Sequence, residues 1–471
     1  MRPQDNWYEA QFIILPWQPA RPPKSLLSTN PMTTRIYFRY DFHAVGQGLF
    51  ATGHLQDCKT QKFTWVLDCG SNKTTKPRFL KREIDHFIEE MNGGRVGLFC
   101  LSHFDEDHIK GAGELLSSRR IDVLVMPYFP LVKRIQIALG ISNISEDYLA
   151  FLIDPVGYMF EAAGGELREI ILIAGGGAPP EQTQGDAPQD SPAPSLDDPW
   201  KVRYPNTEKA QSPADQIVQR ASTASRCKSV RVFTHQKPFT VGDWEFMFYN
   251  EYIPGKDVPA LERKVSAIIL KHRRKDGSFD GIKMITELKK LYVKFFPGAV
   301  KQNTISLVIY AGPIDRHQMK YSNVSGRLMP ADAFENYPLC FCDWAVGTFD
   351  ERKVSIGYFG DFPLTTPARV KAVQNHFGLH RWNCFQVVQI PHHGSKLSWY
   401  PRVSKMFLHG ASVISSARHS KHHPSQNVLD DFEKHGLVFV NEYQRASFYG
   451  WIKYQSKAYP LKSDIHSEAT T

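Results

Sequence analysis

No stretch of this chain stays apolar for anything near the roughly eighteen residues that a membrane-spanning helix needs, so neither a transmembrane helix nor membrane insertion is expected. Residues 11–15, Gln-Phe-Ile-Ile-Leu, are too short and wrongly flanked for a signal peptide. Cysteine is scarce: the seven residues at 58, 69, 100, 227, 340, 342 and 384 are odd in number and scattered, which argues against a disulfide framework. Cys340 and Cys342 form a close pair with no second pair to complete a metal site. A reducing cytoplasm suits this usage. Acidic excess is lacking too. The 57 Lys and Arg outnumber the 48 Asp and Glu, giving a net charge of +9. That balance fits a polyanionic partner, or equally a set of solvated basic faces.

What is present is a globular composition, 42% hydrophobic and 22% charged over 471 residues, enough for one large core with insertions or for two domains. The most informative run is Ser-His-Phe-Asp-Glu-Asp-His at 102–108. It places His103, Asp105, Asp107 and His108 within six positions, directly after the apolar Val96–Leu101. A strand that ends abruptly projects alternate side chains in one direction. Residues 103, 105 and 107 would then converge, with His108 turning in from the start of a helix. Two imidazoles and two carboxylates so crowded call for a cation between them. Six of the 18 histidines fall between 392 and 423, a second concentration that packing does not explain. His43, His54, His86, His235, His272 and His317 have no such context and read as surface or core residues.

The 103–108 run resembles the His-x-His-x-Asp-His motif of the metallo-β-lactamase superfamily, with Asp105 in place of the second His. That substitution is similar to the soluble domain of the bacterial DNA-uptake channel protein ComEC and its free-standing relatives. Four further stretches carry the resemblance. Ala44-Val45-Gly46-Gln47-Gly48 looks like the family's opening turn, though Ala44 stands where Asp is common. Val66-Leu67-Asp68-Cys69-Gly70, Ile356–Asp361 and Val388–Ser395, with its Pro391-His392-His393-Gly394-Ser395, follow in the family's order. A His-Pro pair, His423-Pro424, comes about thirty residues later, before a helical pattern. Asn303, Ser306, Leu307 and Val308 match a further strand. The motifs span roughly residues 36–455.

The resemblance implies an α/β fold, a metallo-β-lactamase-like four-layer αββα sandwich. Around it the chain divides into an N-terminal arm at 1–33, a hydrolase domain at 34–460 and a C-terminal tail at 461–471. Helical and flexible insertions are expected near 128–226 and 254–300. Residues 131–174 read as helices, and 175–215, dense in Gly, Pro, Ser and Gln, reads as a flexible linker. Strands are expected at 35–40, ending at Asp68, at 96–101, 122–127, 229–233, 244–249 and 304–310, and a helix at 78–91. Basic clusters at Lys271–Lys275 and Lys289-Lys290 lie either side of a helical stretch.

The resemblance also implies a centre of two divalent ions, manganese or zinc with magnesium as a further candidate, arming a water for hydrolysis. His103 and Asp105 would hold one ion, helped by His392 or His393. Asp107 and His108 would hold the other, with Asp361 bridging. Asp68 would orient a ligand from behind. His423 would complete a metal shell or protonate a leaving oxygen, and Ser395 and Lys396 would contact a phosphate. The expected activity is that of a phosphodiesterase or nuclease, with Asp107 and His423 central to catalysis and a nucleic acid or nucleotide as substrate. The alternatives are hydrolysis of an ester, thioester or lactam, and a binding module on the same fold. No protein partner is named by these residues, although the insertions offer surface for one.

Overall fold

The computed structural model describes residues 35–56, 61–72, 75–141, 144–164, 166–175, 200–204, 230–234, 237–251, 258–275, 279–295, 306–314, 319–330, 353–407, 410–432 and 436–454. The expected arm at 1–33 and tail at 461–471 lie outside them, as do His235, His317, Cys340 and Cys342. The chain begins with β1 (Arg35–Phe42), β2 (Phe50–Gln56), β3 (Gln61–Cys69), α1 (Pro77–Met91) and β4 (Val96–Cys100). Next come α2 (Glu106–Ile109), α3 (Ala112–Ser118), β5 (Ile121–Pro127), α4 (Leu131–Gly140), α5 (Glu146–Ile153), α6 (Pro155–Ala162), β6 (Glu169–Ala174) and β7 (Val230–Thr234). Then follow β8 (Phe239–Val241), β9 (Trp244–Tyr249), α7 (Val258–Lys271), α8 (Gly281–Phe295), β10 (Val308–Pro313), β11 (Met319–Pro330) and β12 (Ser355–Tyr358). The last elements are α9 (Pro367–Phe377), α10 (Leu379–Trp382), β13 (Phe385–Gln389), β14 (Ala411–Ser415), α11 (Gln426–Phe432), β15 (Leu437–Val440) and β16 (Gln444–Tyr454).

The strands form two sheets. A nine-stranded sheet runs β11-β16-β1-β2-β3-β4-β5-β6-β7, and a seven-stranded sheet runs β15-β14-β13-β12-β10-β9-β8. In each, one half is antiparallel and the other parallel: β3 through β7 in the first, β12 through β15 in the second. Alternation along a strand sends neighbouring side chains to opposite faces, and three cores follow from it. Trp65, Leu67, Leu98 and Val125 of the first sheet meet Phe246, Ile309, Val387 and Val413 of the second, so the sheets pack face to face. Val66, Phe99 and Leu124 face outward onto α1 and α3 through α8. Val308, Val388 and Ile414 face the other way, onto α9, α10 and α11. The result is the four-layer αββα sandwich.

Helix α1 shows how local rules place the layers. Pro77 opens it with a φ already suited to helix, and Asn92 closes it in the left-handed region at φ 43°. Between them Leu80, Ile84, Phe87 and Met91 form the buried stripe, each contributing about 1.5–3 kcal/mol through burial. One sequence expectation fails nearby. Residues 169–174, expected within a helical stretch, form β6, whose Ile170 and Leu172 face the helices while Ile171 and Ile173 enter the core between the sheets. A short continuous apolar run reads alike in a buried helix and in a parallel strand buried on both faces, and pairing with β5 decides it. Strand β2 was not legible either. Within the stretch expected to be a linker, Val202 is buried and Arg203 bridges Thr240 of β8.

Candidate metal centre

The residues of interest collect at the C-terminal ends of the parallel strands of both sheets. There the chain leaves the strands and opens a crevice. Asp68 lies at the end of β3 and His103 just beyond β4. Asp361 follows β12, His392 and His393 follow β13, and Ser415 ends β14. Leu307 N donates to Ser102 O at 2.7 Å, tying the two sheets together at this rim.

The loop after β4 is held from beneath. Asp68, fully buried at φ 51°, accepts hydrogen bonds from Ser102 N and Ser102 Oγ, both at 2.6 Å. Its Oδ2 also stands 2.8 Å from His108 Nδ1. Asp68 thereby fixes the ring of His108 and leaves Nε2 facing the crevice. Gly70 is required because the α2 turn rests on it: a Cβ there would come within 2.4 Å of the Asp107 carbonyl. Replacing Asp68 by Asn weakens this support, and an expected loss of about 10–100-fold in metal affinity would be read by competition with a chelating dye.

Opposite, the turn after β12 is built around Gln389. Its Oε1 accepts the N–H groups of Phe359 and Gly360 at 2.8 and 2.7 Å, and Ser306 Oγ accepts that of Asp361 at 3.1 Å. Gly360 takes φ 51°, and a Cβ would clash with Ser306 Oγ at 2.4 Å. His392 and His393 both adopt positive φ, 50° and 54°. Such geometry is costly for a residue with a side chain and persists where the surroundings enforce it. The enforcing contacts are visible. His392 N donates to Gly360 O at 2.9 Å, its Nδ1 pairs with Ser398 Oγ at 2.7 Å, and His393 Nδ1 donates to Ser415 O at 2.8 Å.

These anchors leave the outer nitrogens of four histidines turned toward three carboxylates. Asp361 Oδ2 lies 3.5 Å from His103 Nε2 and 3.6 Å from His392 Nε2. Its Oδ1 lies 3.2 Å from His108 Nε2. His393 Nε2 stands 3.3 Å from Asp107 Oδ2, and His103 Nε2 is 3.9 Å from Asp105 Oδ2. His103 Nε2, His108 Nε2 and Asp361 Oδ1 are buried without a hydrogen bond of acceptable geometry among the described residues. Two donors bound about 2.1 Å from one ion sit about 3.0–3.4 Å apart in octahedral or tetrahedral geometry, which matches these separations. Ligand atoms of His103–Asp105–Asp361, of His108–Asp361–His393 and of His103–Asp107–His108 each lie within 4.8 Å of one another. The residues fit divalent cations.

The electrostatics agree. Burial, with the charge of His108 beside it, lowers His103 to about 4 and keeps its imidazole neutral. Burial would lower His108 as well, but Asp361 and Asp68 outweigh it and raise it well above the usual histidine value. A cation at Nε2 would take the place of that proton. Burial opposes ionisation of Asp107 and Asp361. The hydrogen bond from His393 nonetheless brings Asp107 down to about 2, and His103 and His108 hold Asp361 well below the carboxylate range.

Comparison with known proteins adds little beyond the fold. No protein-family model and no curated protein matches the chain. The metallo-β-lactamase fold protein YhfI from Bacillus subtilis is similar over 86% of this chain and 98% of its own, at 8% identity and a TM-score of 0.32. An archaeal metallo-β-lactamase superfamily protein from Sulfolobus tokodaii is similar over 56% of this chain and 89% of its own, at 14% identity and a TM-score of 0.17.

Seven residues expected to bind metal, His103, Asp105, Asp107, His108, Asp361, His392 and His393, come together here, with Asp68 behind His108. His423 is half-buried above them, its ring 5.8 Å from that of His392 and 6.2 Å from that of His393. Ser425 brings it there by donating from both N and Oγ to Gly394 O. Ser395, expected to contact a phosphate, is buried and accepts the Leu397 N–H at 3.3 Å. Lys396 is exposed beside it. Ser102, Gln389, Ser398 and Ser415 escaped the sequence reading. Ser102 and Gln389 lie within the motifs and Ser398 just beyond one, but a hydroxyl or amide carries no signal of its partner, and Ser415 holds His393 through its backbone oxygen. Among the described residues, no helix is long and apolar enough to cross a membrane.

Proposed function

We propose that this protein is a metal-dependent hydrolase of phosphodiester bonds, a nuclease or phosphodiesterase of the free-standing ComEC-like type. The observation that carries the reading is the division of Asp361 between two donor sets. Oδ2 faces His103 and His392, with Asp105 near His103. Oδ1 faces His108, with His393 and Asp107 alongside. Each set offers two imidazoles and two carboxylates, a mixture that suits manganese or zinc. When bound, two such ions supply Lewis acidity toward a phosphoryl oxygen and lower the pKa of the attacking water.

The chain's own residues do the rest. Asp68 and Ser102 hold the His108 ring, and Gln389 holds the turn that aims Asp361. His423 Nδ1 is buried with no partner among the described residues, which supports a role for this ring in exchanging a proton with the leaving oxygen. Lys396, with Arg418 and Lys421 in the loop that leads from Ser415 to His423, gives the rim exposed positive charge suited to phosphate. A neutral ester or lactam would gain nothing from it.

The test is hydrolysis of bis(p-nitrophenyl) phosphate and of single- and double-stranded DNA and RNA, with manganese, zinc or magnesium, a chelator control and the Asp107→Asn variant. Metal-dependent cleavage that vanishes in the variant is expected. Turnover of a neutral ester or lactam in preference to every phosphodiester would overturn the reading.

A further inference from the structure

The helical excursion between β9 and β10 holds an unusual share of the chain's charge. Residues 258–295 contain ten Lys and Arg against four Asp and Glu, a surplus of six out of a net +9. Helix α7 buries Leu261, Val265 and Ile269, and α8 buries Met284, Leu288 and Tyr292, so one face of the pair is committed to the helix-side core. The turn that joins them is closed by a bridge between Arg273 and Phe279 and by Asp280 N donating to His272 O at 3.0 Å. Arg274 and Lys275 are exposed at this tip, and Arg273 is half-buried. Among the described residues, the two carboxylates nearest the turn are engaged with neighbouring side chains. Asp280 takes Lys283 at 2.9 Å, and Glu287 takes Lys271 at 3.0 Å and His272 at 2.7 Å.

The position of the tip makes this surplus informative. Gly281, at the start of α8, lies against α5, where a Cβ would sit 3.4 Å from Leu149 Cδ2. The residue before Leu149, Tyr148, donates its hydroxyl to the carbonyl of Phe104 at 2.5 Å. Phe104 stands between His103 and Asp105. Burial, followed by the carboxylates of Asp105 and Asp107, raises the Tyr148 phenol far above its usual range, which places α5 within electrostatic reach of the centre. Two packing contacts therefore connect the basic tip to the metal loop.

We propose that the tip of the α7–α8 hairpin, Arg273, Arg274 and Lys275, is a phosphate-backbone contact surface that holds a nucleic-acid strand whose scissile bond lies at the metal centre. The inference rests on the phosphodiesterase reading and names its substrate class: a polymer long enough to reach from the crevice past α5, in preference to a small nucleotide. A polyanion suits the tip because its charges lie in one short run, linked through α5 to the metal loop. Contacts of this kind carry no sequence information and are strongly salt-dependent.

The experiment uses the full chain with EDTA present and fluorescein-labelled single strands of 6 and 30 nucleotides, read by anisotropy as salt is raised. The variant Arg273→Gln/Arg274→Gln/Lys275→Gln is compared with Arg263→Gln/Lys289→Gln/Lys290→Gln, which removes equal charge from exposed positions elsewhere on the two helices. The tip variant is expected to bind the 30-mer about tenfold or more weakly and to lose about 2 from the salt slope, at about 0.7 per phosphate contact. The comparison variant is expected to change far less, and with manganese added both should hydrolyse bis(p-nitrophenyl) phosphate as the unaltered protein does. Equal weakening by both variants would show that bulk charge alone is at work and would overturn the proposal. Loss of binding to phosphatidylserine vesicles without loss of oligonucleotide binding would do the same, assigning the tip to a membrane surface. Absence of any phosphodiester turnover by the unaltered protein would defeat the functional reading instead, and the anisotropy result would stand apart from it.

Discussion

Replacing Asp361 by Asn is expected to strip both ions from the protein and to lower phosphodiester turnover by about a thousandfold, the several kcal/mol that metal charge stabilisation supplies. The reason lies in the two oxygens. Oδ1 stands 3.2 Å from His108 Nε2, and Oδ2 stands 3.5 Å from His103 Nε2, so each faces a different donor set. An amide keeps the shape of the side chain but loses its charge and turns one oxygen into a donor. Whichever way the amide turns, one set loses a ligand and both lose a neighbouring anion. Asp105→Asn is the informative comparison, because Asp105 belongs to the His103–Asp105–Asp361 set alone and its loss should release one ion. Metal content after dialysis, measured by mass spectrometry beside turnover, decides between them. An Asp361→Asn protein that retained two ions would sink the shared-carboxylate arrangement.

The second large effect lies away from the crevice. Arg445→Met is expected to destabilise the fold by about 2–3 kcal/mol, because it takes the buried guanidinium from one oxygen of a buried carboxylate and leaves Arg82 on the other. Glu83 of α1 is fully buried: its Oε2 pairs with Arg445 of β16 at 2.5 Å and stands 3.6 Å from His43 Nδ1, and its Oε1 accepts from Arg82 Nε at 3.0 Å. Beside them Asp41 takes Arg39 at 2.7 Å and His54 Nε2 at 3.5 Å. Substituting both partners, Glu83→Met with Arg445→Met, should recover much of the loss, since well-packed apolar residues often replace a buried pair without penalty. Urea denaturation of the two variants measures this. A double variant no more stable than Arg445→Met would show that the pair itself is not what was stranded.

The same cluster sets a pH dependence. Burial opposes the charge on Glu83, but the nearby His43 imidazole and the Arg445 guanidinium prevail and hold it at about 2. Burial, with the charge of Arg39, lowers His54 to about 3. Both values are depressed in the folded state, so the unfolded chain binds these protons first and stability falls as pH falls. The His54 contribution is complete above its ordinary 6.5 and lost by about 3. That of Glu83 is complete above 4.5 and lost by about 2. The Glu83→Met/Arg445→Met protein should therefore show a shallower decline below pH 4.5 than the unaltered protein, both measured with chelator present. Identical slopes would remove Glu83 from the account.

Much of the centre was legible because metal ligation fixes residue type and local spacing together. The run at 102–108 places four donors on one strand end and one helical turn. A donor cluster of this kind persists in sequence as a word, as do Gly360-Asp361 and His392-His393. Strands β1, β3, β4 and β5 were legible from short runs rich in β-branched and aromatic residues between turn or charged residues. Strand β6 was not, because Ile170–Ile173 is too short for its period to choose between helix and strand.

The tertiary structure decided how the words combine. Sequence left open whether His392 or His393 serves the first donor set. The positive φ of both residues, with Ser398 behind one and Ser415 O behind the other, turns His392 toward Asp361 Oδ2 and His393 toward Asp107. The pairing of Glu83 with Arg445 spans 362 positions and leaves no local trace, since burial and charge compensation arise only when α1 and β16 meet. The link from α8 to the metal loop depends likewise on α5, whose Leu149 meets Gly281 and whose Tyr148 reaches Phe104. The sequence by itself determined which atoms are available to bind cations and roughly where strands end. Packing of the two sheets decided which of those atoms face one another, because distances between donors on separate strands are set by side-chain volumes in the core and not by spacing along the chain.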